Sequence, residues 1–302
     1  MRIGLQIPYF SWPGGAEQLG ATFGDIARHA EDCGFVSLWV MDHFFQIPGV
    51  GKPDEDMLEG YTALAFAAAR TSKIRLGTMV TGVTYRNPGV LVKTATTLDV
   101  LSGGRAYFGV GAAWFEREHL GLGVEFPPMK ERFDRLEETL QIARQMWGEA
   151  PAPYEGTHYR LAETLCVPRP LSQPRPPILV GGRGETKTLR LVAEYADASN
   201  ISTGLDDDGA GLLGHKYDVL RQHCAAAGRN FDEVEKTTLS TLWMTPDRGA
   251  DERWLMPEQA LERLAKFRAA GVDHAIFNMP DVDRPETLEY VAKNVVEPAA
   301  KL

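Results

Sequence analysis

Eight short apolar, β-branched runs, at residues 3–7, 36–41, 74–81, 106–110, 178–180, 198–201, 238–244 and 274–278, alternate along this chain with longer amphipathic stretches. A strand covered on both faces needs a nearly continuous apolar run, whereas the helix that crosses back over it needs one apolar stripe. The alternation is therefore the pattern of repeated βα units on a parallel sheet, and eight of them predict a closed (β/α)8 TIM barrel. Helices are expected at 23–33, 61–71, 89–101, 131–147, 186–195, 212–227, 257–270 and 285–296. In the fourth of these, Phe133, Leu136, Leu140, Ala143 and Trp147 recur at helical spacing and mark a core-facing stripe.

A length of 302 residues suits one such barrel, and no linker divides the chain, so residues 1–302 are read as a single domain. Two segments break the rhythm. Residues 148–177 are rich in proline and too long for an ordinary connection, and are expected as an insertion on the catalytic rim. Residues 48–59, acidic and containing glycine and proline, are expected to wall the substrate pocket.

The formal charge of −9 argues against a nucleic-acid partner, which would demand clustered Lys and Arg. Cys33, Cys166 and Cys224 are odd in number and far apart, which fits a reducing, cytoplasmic setting better than a disulfide framework. The amino-terminal run MRIGLQIPYF lacks the apolar region of a signal peptide, and no uninterrupted apolar stretch is long enough for a membrane span. The histidines show no ligand spacing that predicts a metal.

In a parallel barrel the active site is built from the loops at the carboxyl ends of the strands. That rule selects Gln6 and Pro8, the pair Asp42 and His43, and the runs TGVTYRNP, GAAWFEREH and GGRGET. The apolar run FVSLWVM delivers Asp42 and His43 to the barrel mouth, where a histidine can move a proton near neutral pH or simply cap the strand end. Gly181, Gly182, Arg183, Gly184, Glu185, Thr186 and Lys187 stand between a strand and a helix start, a setting in which backbone N–H groups and the helix end can hold a phosphate. The run matches neither the P-loop nor a full dinucleotide fingerprint. FGVGAAW follows G-x-G-x-x-G only until Trp114, so a nicotinamide site is a poor reading. Gly109 and Gly111 instead suit close approach of a planar ring, with Trp114 as a pocket wall, or plain barrel packing.

Taken together, the runs LWVMDHF, IRLGTMVTGVTYRNPGVLVKTATTLDVLSGGRAYFGVGAAWFEREH, ERFDRLEETLQIARQMW and PPILVGGRGETKTLRLVAEYADASN resemble, in order and spacing, the luciferase-like flavin-dependent barrel family. The likeness is closest to the branch that uses the deazaflavin coenzyme F420. It implies an oxidoreductase that passes a hydride between the deazaflavin C5 and a small organic substrate. It places Asp42 and His43 beside the reactive ring face, with His43 as general acid or base and Asp42 orienting it. It places a non-prolyl cis peptide at Met79 and Val80 behind the ring, Gly111 and Ala112 at its edge, and Gly181, Gly182, Arg183, Gly184 and Glu185 around the phosphate. Gln6 and Trp114 are assigned to the substrate pocket. The sugar-phosphate dehydrogenases of the family carry a carboxylate where this chain has Trp114, which argues against a glucose-6-phosphate substrate. The alternatives are an FMN-dependent two-component monooxygenase and a flavin-binding barrel without catalysis; the family often forms homodimers.

Overall fold

The computed structural model describes residues 1–203, 209–247 and 253–302. In chain order its strands are β1 (Arg2–Ile7), β2 (Ser37–Val40), β3 (Arg75–Thr78), β4 (Thr81–Gly82), β5 (Phe108–Gly111), β6 (Tyr154–Glu155), β7 (Arg160–Leu161), β8 (Ile178–Gly181), β9 (Ala198–Ser202), β10 (Glu235–Thr241) and β11 (His274–Asn278). All but β6 and β7 belong to one parallel sheet in the order β3-β2-β1-β11-β10-β9-β8-β5-β4. A bridge between Leu76 and Ala106 brings β3 back beside β5 and closes the ring. Because β3 and β4 are halves of one interrupted run, the barrel has eight staves, as the alternation predicts.

Helices wrap the outside: α1 (Gly15–Asp32), α2 (Gly60–Arg70), α3 (Pro88–Leu101), α4 (Glu116–Gly121), α5 (Met129–Met146), α6 (Thr188–Tyr195), α7 (Ala210–Ala226), α8 (Pro257–Ala269) and α9 (Pro285–Val291). Their inner stripes cover the outward face of the strands, which is why the strands carry apolar residues on both sides. Inside the barrel Trp39 packs with Tyr107, Leu179, Ala198 and Ile276. A Cβ on Gly77 would lie 2.6 Å from the Trp39 ring, so this glycine makes room for the largest side chain of the interior.

Three boundaries depart from the sequence reading. The run 74–81 is cut after Thr78 and resumes at Thr81. The seventh strand was expected at 238–244, yet β10 starts at Glu235, because its polar first residues are satisfied inside the barrel base. There the Glu235 carboxylate accepts from Tyr107 at 2.9 Å and pairs with His274 at 3.0 Å, and His274 meets Ser37 at 2.9 Å. The first helix begins at Gly15 rather than residue 23, following the left-handed Gly14 (φ 94°).

Residues 148–177, expected on the catalytic rim, do not line the central cavity. They run from the end of α5 to the start of β8, and a helix-to-strand connection begins and ends at the face opposite the active site. Their hairpin, β6 with β7, packs along α5, where Glu138 accepts from the amides of Thr157, His158 and Tyr159.

Candidate functional site

The floor of the site is the interruption between β3 and β4. The Met79–Val80 peptide is cis, and neighbours hold both backbone polar groups of Met79: Met79 N donates to Val40 O at 2.9 Å, and Gln6 Nε2 donates to Met79 O at 3.1 Å. A hydroxyl chain from Tyr61 through Thr81 to Thr78, with contacts of 3.0 and 2.8 Å, ends on the Gly109 carbonyl at 3.0 Å. The glycines opposite serve this bulge. A Cβ on Gly109 would sit 2.1 Å from the Thr78 carbonyl oxygen, and a Cβ on Gly181 would sit 2.9 Å from the Val80 side chain. The glycines of FGVG are therefore committed first to protein packing. Gln6, expected in the substrate pocket, is buried behind the floor as its support.

Asp42 and His43 leave the end of β2 as neighbours but bind different partners. Asp42 is fully buried and accepts a bidentate pair of hydrogen bonds from Arg86, at 2.7 and 2.9 Å. The same guanidinium bonds to Glu59, whose other oxygen caps α2 by accepting from Thr62 N at 2.7 Å, and it lies 5.2 Å over the Tyr61 ring. Burial pushes the Asp42 carboxyl up, against the pull of Arg86. Burial also pulls the Arg86 guanidinium down, but Asp42 and Glu59 outweigh it and raise it well above its ordinary value. Asp42 is thus not the group that orients His43.

That group is Glu118, on α4. Its carboxyl is fully buried, lies 2.6 Å from His43 Nδ1, and accepts from the amides of Phe44 and Phe45 at 2.7 and 3.2 Å and from the Tyr85 hydroxyl. Burial alone would raise the Glu118 carboxyl, but the bonds from His43, Tyr85 and Phe44 outweigh it and hold it below the usual range. Burial and Glu118 together raise the Tyr85 phenol far above its ordinary value, so it stays protonated. The Trp114 ring stands edge-on 5.6 Å from the imidazole and is 57% exposed, at the mouth of the site.

The third element is the turn after β8. Gly182 has φ +138°, a conformation that favours glycine, and the turn leads through Lys187 into the amino end of α6, whose first N–H groups have no partner within the helix. Gly184 is equally close-fitting, since a Cβ there would lie 2.9 Å from Thr188 Oγ1. Arg183 is exposed beside it. Glu185 turns away: its carboxylate pairs with Lys216 at 2.5 Å and His215 at 2.9 Å, and it does not line the cavity.

Asp42, His43, Met79, Val80, Gly111, Ala112 and Trp114 face Gly181, Gly182, Arg183 and Gly184 across one cavity of about 700 Å³, a size suited to a cofactor with a small substrate. None of residues 48–59, expected as its wall, lines it. Its outer wall is instead Met129, Arg132 and Phe133 of α5, although helical spacing predicts Phe133 for the core. Arg132 bonds to the carbonyls of Pro127 and Ala113, and Ala113 itself is held in the left-handed region at φ +60°. No helix among the described residues is long and apolar enough to cross a membrane.

The comparisons agree with this geometry. The family model described as luciferase-like monooxygenase matches residues 1–271. An F420-dependent glucose-6-phosphate dehydrogenase of Kineococcus radiotolerans is 34% identical over 93% of this chain and 94% of its own length. Among solved structures, the coenzyme F420-dependent tetrahydromethanopterin reductase of Methanopyrus kandleri superposes with a TM-score of 0.79 at 18% identity, covering 98% of this chain and 99% of that one. The oxygenating constituent of 3,6-diketocamphane monooxygenase of Pseudomonas putida, in complex with FMN, does so with a TM-score of 0.76 at 18% identity, covering 98% of each chain. A barrel interrupted at Met79–Val80, with a glycine turn and a histidine converging on one cavity and the family model matching most of its length, belongs to the luciferase-like monooxygenase family.

Proposed function

We propose that this protein is an F420-dependent oxidoreductase acting on a small organic substrate. The observation that carries F420 rather than FMN is the Kineococcus radiotolerans relative, 34% identical over nearly the whole of both chains. The structural neighbours, at 18% identity, speak for the fold alone.

The residues present fit such a group. Gly182, Gly184 and the amino end of α6 form a cradle that a larger side chain would fill, and Arg183 adds a positive charge for a phosphate. Val80, Gly111 and Ala112 offer apolar lining for a ring. When bound, F420 supplies the carbon that gives or takes a hydride. The chain's own residues bind and orient the reactants, and His43 takes up or returns the proton at the substrate oxygen through its Nε2.

The substrate has an apolar body. Trp114, Met129 and Phe133 form the outer wall, and Arg132, beside them, is engaged with two backbone carbonyls. Little on this wall recommends a sugar phosphate.

Titrating the apo protein separately with oxidised F420 and with FMN tests the reading. F420 binds at least tenfold more tightly if it is right, and tenfold tighter FMN overturns it. In turnover assays with F420 an uncharged alcohol or ketone outperforms glucose-6-phosphate.

A further inference from the structure

Four polar groups reach the Glu118 carboxyl. His43 Nδ1 and the Tyr85 hydroxyl reach Oε1, and the amides of Phe44 and Phe45 reach Oε2. The two backbone amides can only donate, so Oε2 accepts twice, an arrangement that favours the ionised carboxylate. The side chain is fully buried, so these bonds rather than water must satisfy the charge. Against the upward push of burial, these bonds hold the Glu118 carboxyl below the usual range, so at neutral pH it is ionised, and a carboxylate 2.6 Å from His43 Nδ1 requires the proton on that nitrogen.

The second nitrogen follows from the first. In a neutral imidazole one nitrogen donates and the other accepts. With Nδ1–H committed to Glu118, Nε2 holds a lone pair. His43 lines the cavity and keeps Nε2 for whatever binds there. Asp42 cannot compete for the ring, since both of its oxygens are taken by Arg86.

We propose that Glu118 is a positioning residue that fixes His43 as the Nδ1–H tautomer and so presents Nε2 to the cavity as a proton acceptor. Its catalytic consequence rests on the function proposed above, whereas the tautomer itself does not. The arrangement makes Glu118→Gln more than a loss of charge. The amides of Phe44 and Phe45 can only donate, so they select the carboxamide oxygen on their side. The carboxamide NH2 then faces His43 Nδ1 and donates to it, which forces the proton onto Nε2. The variant turns an acceptor into a donor without moving the ring.

The experiment is 15N NMR of the full chain labelled at histidine, with the signals of His43 found among the seven histidines by their loss in His43→Ala. In the unmutated protein Nδ1 is the protonated nitrogen and Nε2 the bare one; Glu118→Gln exchanges the two; Glu118→Asp, which keeps the charge, restores the first pattern. Turnover with F420 in Glu118→Gln falls about 100-fold or more, the scale of a lost or mis-set proton-transfer group, while coenzyme affinity stays within about threefold, under 1 kcal/mol. A protonated Nε2 in the unmutated protein overturns the assignment, and so does an unchanged tautomer in Glu118→Gln. An exchanged tautomer with undiminished turnover upholds the assignment and overturns the proton-transfer role of His43.

Discussion

The side chain of Val80 occupies the space that a Cβ on Gly111 would need, its Cγ2 lying 2.8 Å from that position. Gly181 flanks the same side chain from the next strand, at 2.9 Å from Cγ1. One valine is thus seated between two glycines of neighbouring staves, and the cavity floor is set by their fit.

Gly111→Ala or Gly181→Ala displaces Val80, a short side chain with little freedom to yield. Each is expected to cost about 1–3 kcal/mol, as overpacking does. Urea unfolding measures the cost and coenzyme titration the displaced floor. A substitution that leaves both unchanged removes Val80 from the floor.

Replacing Arg86 by Met leaves the buried Asp42 carboxylate without its bidentate partner. Breaking a buried pair from one side costs about 3–5 kcal/mol, so Arg86→Met should be among the most destabilising single changes on this rim. Adding Asp42→Asn removes the orphaned charge and should recover part of the loss. Denaturation of the single and double variants checks both statements.

His43→Ala should keep coenzyme binding and lower turnover per bound coenzyme roughly 100-fold or more. Were the ring only capping the strand end, melting temperature would fall and activity per folded molecule would stay near normal. Measuring both quantities on one preparation separates the two roles.

Gly184→Val places a branched side chain against Thr188 Oγ1 at the amino end of α6. Coenzyme affinity should drop by about tenfold or more, which is about 1.4 kcal/mol, with a smaller effect on folding. Unchanged affinity in a stable variant takes the turn out of the site.

Acid should unfold this chain through particular carboxylates. Burial raises Glu31, but the amides of Ile74, Lys73 and Ser72 outweigh it, so its carboxyl, like that of Glu118, titrates below the ordinary value of 4.5. The folded state then binds fewer protons than the unfolded chain. Their contribution is whole above pH 4.5 and is lost as pH falls through the depressed values. Glu31→Gln should lower stability at neutral pH and flatten its acid decline, as urea midpoints between neutrality and about pH 3 will reveal. An unaltered acid slope excludes Glu31 as a contributor.

The barrel was legible because strand and helix periods differ, and the glycine turn because such turns precede helices. Glu118 was not. The run Glu116-Arg117-Glu118-His119 holds two carboxylates two residues apart, and only the phase of the six-residue α4 exposes one and buries the other. A helix that short carries too few apolar residues to reveal its phase. Asp42 misled for a related reason: adjacency in an extended chain sends successive side chains in opposite directions, so the neighbour of a histidine is seldom its partner. Tyr85 and Arg86 lay within TGVTYRNP, but their targets are 33 and 44 residues away.

Arg86 grips the chain on both sides of one loop, holding Asp42 before it and Glu59 after it. With both ends fastened, the cost of changing what lies between grows only slowly, by about 0.6 kcal/mol for a doubling of length. Residues 48–55 touch neither the cavity nor the clasp. They form a segment that can be lengthened, shortened or exchanged while His43 keeps its distance from Glu118, so new contacts at the rim can arise without retuning the proton-handling group beneath.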